Sequence, residues 1–303
     1  MHDTIPPHAP EKTAHDFDQD LLILFDAYVH GGIDRRTFLD RAAKYAVGGV
    51  TAAMLLEQLS PKFVEAQTVP HDDGRIQQKY IEYPSPNGYG TMRGYLARPA
   101  GAARAPGILV IHENRGLNPH IEDITRRLAV DGFVAFAPDA LFPLGGYPGD
   151  EDKAREAFGK LEQAKTRQDF IAAAHLLMER PECTGKIGAV GFCYGGGMVN
   201  YLATQLGADL SAGVAFYGSS PDLADVPKIK APLIIQSAEN DQRINDSWPA
   251  YEAALKAAGV KYERFLYPGT QHGFNNNTTP RFDAAAAKLA WDRTIAFFRA
   301  NVK

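Results

Sequence analysis

The chain has 303 residues, 45% of them hydrophobic, with a formal net charge of -4 and a pI near 6.1. That length suits one large α/β domain with a smaller appendage, and the hydrophobic share excludes wholesale disorder. The acidic balance argues against a nucleic-acid partner, which selects for a basic field. Two cysteines, Cys183 and Cys193, make neither a disulfide framework nor a zinc site at their ten-residue spacing. One of them at least must be explained as a core residue or a reactive thiol.

Residues 1–69 read as a helical extension with a linker, and 70–303 as the catalytic domain. In the extension, Leu21, Leu22, Leu24, Phe25 and Tyr28 form an apolar helical face. Asp34-Arg35-Arg36-Thr37-Phe38-Leu39 resembles a twin-arginine export signal. The apolar run Ala46 to Leu56 follows it, and Val64-Glu65-Ala66 offers a small-residue cleavage site. Asp16, Asp18, Asp20 and Asp26 make the segment acidic, which is odd for a signal. The sequence therefore leaves two alternatives open. One is periplasmic export with cleavage near Gln67. The other is cytoplasmic retention, with the apolar face of the extension packed on the catalytic domain or on a second subunit in a homo-oligomer. No stretch is long and apolar enough to be a stable membrane span.

Beyond Val69, Pro70, Asp72, Asp73 and Gly74 break the helical pattern. Strands are expected at Tyr80 to Tyr83 and Met92 to Arg98, then at Ile108 to His112, Phe133 to Ala137, Ile187 to Val190, Gly213 to Tyr217, Leu233 to Ile235 and Tyr262 to Tyr267. The later runs are continuously apolar, as in strands buried on both faces. Helices are expected between them, at about Ile121 to Asp131, Asp152 to Arg180, Trp248 to Ala258 and Asp283 to Asn301. The alternation predicts an α/β fold, a mostly parallel sheet with helices on both faces, and catalytic groups beyond the carboxyl ends of strands.

After the strand ending at Val190 comes Gly191-Phe192-Cys193-Tyr194-Gly195-Gly196, the G-x-S-x-G nucleophile elbow with Cys in place of Ser. Glycines flank such a nucleophile because strand and helix pack too closely for side chains. The turn also puts Cys193 at a helix N-terminus, where the dipole favours a thiolate. A buried structural cysteine in a glycine-rich turn is the competing reading. The chain order nucleophile, acid, histidine is then met by Asp241, after the Leu233 strand, and His272, after the Tyr262 strand. Asp139 precedes the nucleophile, and Asp246 reads as a helix N-cap. His272 would serve as general base and acid and Asp241 would fix its tautomer. The backbone N–H groups of Tyr194 and Asn114 would form the oxyanion hole.

These residues resemble the dienelactone hydrolase family, also called carboxymethylenebutenolidases, over about Tyr80 to Val302. The resemblance implies an α/β-hydrolase fold and gives Glu113, in Ile111-His112-Glu113-Asn114-Arg115-Gly116, the role of a carboxylate that interacts with the resting nucleophile and helps it ionise. The arginines that hold the substrate carboxylate in that family are missing. Phe274-Asn275-Asn276-Asn277 has none before Arg281, and the Phe142 to Asp150 loop has none. Arg115 and Arg243 flank the expected site as substitutes or as surface arginines, and Tyr147, Trp248 and Phe274 are candidate apolar walls.

The function expected is hydrolysis of a small-molecule ester, lactone or thioester through an acyl-cysteine intermediate, with no cofactor. No His, Asp and Glu cluster at ligand spacing suggests a metal. Acyl transfer on the same scaffold, and a non-catalytic redox-sensing thiol, are the alternatives.

Overall fold

The structure is a computed structural model that describes residues 12–303; the first eleven residues of the expected 1–69 segment lie outside the described residues. Among the described residues, the N-terminal segment holds three short α-helices, α1 (Gln19–Val29), α2 (Arg35–Ala42) and α3 (Ala52–Leu59). Each begins at a side-chain cap: Asp18 accepts from the N–H of Asp20, Asp34 from that of Thr37, and Thr51 from that of Met54. Leu21, Leu22, Phe25 and Tyr28 of α1 pack on Phe38 and Ala42 of α2 and on Leu55, Leu56 and Leu59 of α3. The apolar face of α1 is thus spent mainly on a small core inside the extension. The run Ala46 to Leu56 is not one helix, because Gly48 and Gly49 both take positive φ and α3 starts only after Thr51. Among the described residues no helix is long and apolar enough to cross a membrane.

The catalytic domain is an eight-stranded sheet. Its strands are β1 (Ile76–Ser85), β2 (Gly90–Pro99), β3 (Ala105–Ile111), β4 (Val134–Pro138), β5 (Cys183–Phe192), β6 (Leu210–Phe216), β7 (Leu233–Asn240) and β8 (Tyr262–Gln271), in the order β1-β2-β4-β3-β5-β6-β7-β8. β1 and β2 run antiparallel, as do β2 and β4, and the remaining six strands are parallel. Between them lie α4 (Pro119–Val130), α5 (Glu151–Gly159), α6 (Gln163–Glu179), α7 (Tyr194–Leu206), α8 (Gln242–Asn245) and α9 (Trp248–Ala257), and α10 (Ala284–Asn301) follows β8. Two cores cover the two faces of the sheet, one gathering Phe136, Phe170, Leu177 and Leu202, the other Ile124, Phe192, Trp291 and Phe298.

The eight expected strands are all present. The single helix expected over Asp152 to Arg180 is two, broken after Gly159, a poor helix former. The break lets both Phe158 and Leu161 turn into the core. Asp246 is not an N-cap: it closes the four-residue α8, and α9 starts behind Ser247. The extra turn of helix after β7 leaves Asp241, not Asp246, at a helix N-terminus.

Candidate active site

β5 leads into α7 through Cys193, whose φ is 54° and ψ is -111°. A non-glycine residue there is strained, and such strain is stored where surrounding packing dictates it. The packing is visible on both sides. A Cβ on Gly191 would overlap the carbonyl of Gly195, and one on Gly195 would overlap the carbonyl of Ile111 at the end of β3. The N–H of Cys193 donates to the carbonyl of Phe216 at 3.0 Å, tying the turn to β6. Tyr194 begins α7, so its N–H is one of the first-turn donors without an intrahelical acceptor.

Asp241 follows β7 and His272 follows β8, and His272 Nδ1 lies 2.6 Å from Asp241 Oδ2 with both side chains buried. That bond commits Nδ1 to the carboxylate and leaves Nε2, which finds no hydrogen-bond partner, for chemistry. A ring nitrogen of His272 lies within 4.8 Å of Cys193 Sγ. The three expected triad residues are therefore gathered at one point beyond the carboxyl ends of β5, β7 and β8.

A fourth group, from outside the catalytic domain, touches the sulfur. His30, at the end of α1, places Nε2 3.2 Å from Cys193 Sγ. Its Nδ1 lies 2.8 Å from the carbonyl of Asp26 and 3.3 Å from the Asp26 carboxylate. The His30 and His272 rings meet edge to face, 4.7 Å between centroids. Burial opposes ionisation of the Cys193 thiol, yet the two imidazoles outweigh it and hold the thiol well below its ordinary range. The reciprocal effect appears on the histidines. Burial works against their charge, but the sulfur and the carboxylates behind them push His30 up to about 9 and His272 up to about 10.

Glu113 follows β3 and accepts a hydrogen bond from Asn276 Nδ2 at 3.2 Å. Burial and then the neighbouring sulfur raise its pKa. Asn114 and Arg115 turn toward the extension. Asn114 Nδ2 and Arg115 Nη2 both donate to the carbonyl of Val29, at 3.2 Å and 3.0 Å, and Arg115 lies 3.4 Å from Glu151. Tyr147 donates to Glu151 at 2.8 Å and packs against Phe63. Arg243, on α8, is exposed and brings a guanidinium nitrogen to 3.3 Å from His30 Nε2. Phe274 is fully buried against Phe216, Tyr217 and Tyr267, behind the histidine loop. Trp248 packs on Tyr251, Tyr262 and Arg264, an aromatic and cationic neighbourhood that holds none of the triad.

A cavity of about 520 Å³ lies between extension and catalytic domain. Phe25, Tyr28 and Phe63 wall it from the extension; Glu113, Arg115, Tyr147, Asn276 and Arg281 wall it from the catalytic domain. Three arginines in the wall, Arg35, Arg115 and Arg281, face four acids, Glu113, Asp150, Glu151 and Asp152.

Sequence reasoning did not find His30, Arg281 or Tyr217. Arg281 reaches back to Asp26 at 3.2 Å. Tyr217, at the end of β6, has a φ of 38°, sets its ring 4.8 Å from that of His272 and leaves its hydroxyl buried without a partner. The one signal for His30 was local: Asp26 and His30 stand four apart, on one face of a helix. Its separation from Cys193 by 163 residues hid the rest. The same distance hid a cluster of His30, Cys193 and His272 whose potential ligand atoms lie within 4.8 Å of one another. The Arg243 guanidinium beside His30 Nε2 opposes a cation in that place.

The profile of the dienelactone hydrolase family matches residues 92–302, 211 of the 303 residues. The chain belongs to the dienelactone hydrolase family. It is thus a hydrolase of the α/β-hydrolase fold. A second profile, described as YqhI-like, matches residues 9–44, the part of the extension that holds α1 and α2. Over 108 residues the chain is 51% identical to "Putative hydrolase fragment YghX" of Escherichia coli, covering 35% of this chain and 92% of that one. It is 32% identical over 239 residues to a "Putative carboxymethylenebutenolidase" of Synechocystis sp., covering 72% and 95%. The crystal structure of "Putative Dienelactone Hydrolase from Klebsiella pneumoniae" superposes with a TM-score of 0.65 at 27% identity, over 74% of this chain and 99% of that one.

Proposed function

We propose that the protein hydrolyses a carboxylic ester, lactone or thioester through an acyl-cysteine intermediate. Cys193 is the nucleophile, His272 the general acid and base, and Asp241 the carboxylate that orients it. The observation that carries this reading is the strained Cys193 at a strand-to-helix turn, gathered with an imidazole whose other nitrogen is held by a buried carboxylate at 2.6 Å. A merely structural cysteine has no use for either.

The thiolate attacks the acyl carbon, and the carbonyl oxygen takes up charge facing the N–H groups of Tyr194 and Asn114. His272 delivers its proton to the leaving oxygen or sulfur as that bond breaks. Neutral His272 then draws a proton from water, the hydroxide attacks the thioester carbon, and the thiolate departs. Burial and then the sulfur raise the Glu113 carboxyl above its ordinary range, which lessens the charge it sets against the thiolate.

The test is a panel of neutral esters, lactones and thioesters assayed with wild type and with Cys193→Ala. The variant should lose all measurable hydrolysis. Intact-mass measurement after rapid quench should find one acyl group on the wild type and none on the variant. Full activity in the alanine variant removes the mechanism.

A further inference from the structure

The extension contributes a side chain to the site. α1 ends at Val29, and the next residue, His30, reaches the sulfur through Nε2 at 3.2 Å. Three independent contacts hold it there. Asn114 and Arg115 bind the carbonyl of Val29, Arg155 donates to that of Tyr28 at 2.7 Å, and Arg281 pairs with Asp26, the carboxylate behind the imidazole. Tyr28 also donates to Asp152. The result is two carboxylate-backed imidazoles on one sulfur, Asp26–His30 and Asp241–His272. His30 Nε2 makes the measured hydrogen bond to Sγ, and His272 also bears on the sulfur and favours its ionised form.

We propose that His30 is a catalytic residue of this site: as an imidazolium bonded to Cys193 Sγ and held by Asp26, it keeps the sulfur ionised before attack and when the acyl group leaves. This rests on Cys193 being the nucleophile. The division of labour follows from the two environments. His30 keeps its proton throughout, since Asp26 and the thiolate both favour the cation. His272 carries the mobile proton: it goes to the leaving group as the carbon–oxygen or carbon–sulfur bond of substrate breaks, is replaced from water, and the hydroxide so formed becomes part of the acid product. The C–S bond of the intermediate then breaks with its electron pair on sulfur, which returns to His30. A thiolate is the leaving group in that last step, so the same contact assists both halves of the reaction. With His30 holding the sulfur throughout, His272 Nε2 can turn its proton to the substrate.

The groups facing His30 are Asp26 on its own helix, Cys193 at the start of α7, His272 after β8, Arg243 on α8 and, one contact further, Arg281 beyond β8 and Glu113 after β3. Two cations and two carboxylates surround the pair of imidazoles and the thiol, and the two imidazoles are the groups that bear most directly on the sulfur.

Alkylation by iodoacetamide reads the thiolate without any substrate. The full-length wild type, His30→Gln and Asp26→Asn are labelled from pH 4 to 9, with Cys193 separated from Cys183 by peptide mass mapping. The midpoint of the labelling profile is the quantity read, because a more basic thiolate is also intrinsically more reactive and the plateau moves for that reason alone. His30→Gln should raise the midpoint by at least one unit, about a tenfold loss of labelling rate at pH values below both midpoints. Asp26→Asn should raise it by less, and the acid limb of kcat/KM for a neutral ester should move with it. Midpoints that coincide within a few tenths, in variants whose circular dichroism is native, make His30 a wall of the site and overturn the proposal, even if hydrolysis falls. Should His30→Gln fail to fold, Asp26→Asn decides alone, since asparagine can still bond to the imidazole while removing the charge. A shifted midpoint together with a fully active Cys193→Ala would instead sink the acyl-cysteine mechanism and leave the ion pair standing.

Discussion

Cys193, His30 and His272 share their charges, and the pH dependence of the enzyme follows from the direction each is pushed. A thiol held well below its ordinary range ionises at a lower pH than a free cysteine. The acid limb of kcat/KM should therefore fall well below the ordinary thiol value of about 8.5, and a limb found there would refute the ion pair. Asp139, a rejected triad candidate, makes a separate prediction about stability. It is buried, accepts from the N–H of Leu141 and lies 3.7 Å from Arg93. Burial outweighs these partners and pushes its carboxyl up to about 6 from 3.8. The folded state thus binds the proton more tightly than the unfolded chain. Asp139 contributes stability that is full below about pH 4 and is lost as pH rises through 6. His112 and His120, both buried and pulled down, contribute in the opposite direction over part of the window, so the difference between variant and wild type is the clean observable. Urea unfolding of Asp139→Asn should give a stability that gains on wild type from pH 4 to 6 and then runs parallel; curves parallel throughout would show that Asp139 is paired as strongly as it is buried. At this scale the sequence singled out Cys193, Asp241 and His272, which the fold brings together, because chain order and strand ends constrain all three. It could not show His30, whose contact with the sulfur depends on how an appended helix docks.

The three helices of the extension act as one element. Their apolar face on α1 was legible from its 3.6-residue period, but its partner was not. A period says that a face is covered, and here the cover is mostly α2 and α3. Phe38 is the keystone: it is fully buried and meets the rings of Phe25 and Tyr28, at 6.1 and 5.2 Å between centroids. Phe38→Ala should cost the small core about 3–5 kcal/mol, more than so few helices can spare. The expected outcome is local. Proteolysis between α1 and α3 should accelerate, thermal unfolding of the catalytic domain should change little, and the labelling midpoint of Cys193 should shift as in His30→Gln. Resistance to protease equal to wild type would mean that contacts to the catalytic domain, not this core, hold the helices. The arginine pair expected to signal export opens α2, with Arg35 at 3.1 Å from Asp152 and half exposed, a salt bridge of modest worth at best.

For the molecule as a whole, we propose that the cavity between extension and catalytic domain, which adjoins the site through Glu113 and is not itself lined by Cys193 or His272, receives the part of the substrate away from the reacting bond. Three arginines against four acids give its wall no cationic excess. The missing family arginines are not restored as a free pair, since Arg281 is bound to Asp26 and Arg115 to Val29 and Glu151. Neutral esters and lactones should therefore be turned over at least as well as a carboxylated dienelactone. A kcat/KM strongly in favour of the anion would show that Arg115, Arg243 or Arg281 leaves its partner to bind it.

The same architecture bears on what the working chain contains. Cleavage near Gln67 would remove α1 to α3 and with them His30, Asp26 and one wall of the cavity. It would also strip partners from buried groups of the catalytic domain. Arg115 loses the carbonyl of Val29, Asn277 loses that of Ala66, and Arg281 loses Asp26. The loss would uncover these groups together with the apolar side chains beside them, which argues for the extension as part of the folded enzyme. We propose retention on that ground. Peptide mapping of the protein purified from its native host should recover the segment holding His30 in the same polypeptide as Cys193. A recombinant chain begun at Gln67 should expose apolar and charged surface together, aggregate, and hydrolyse the neutral ester panel far more slowly than the full chain. If the native protein starts near Gln67 and that shortened chain is soluble and fully active, then export with cleavage is correct and the contacts of His30 belong only to the precursor.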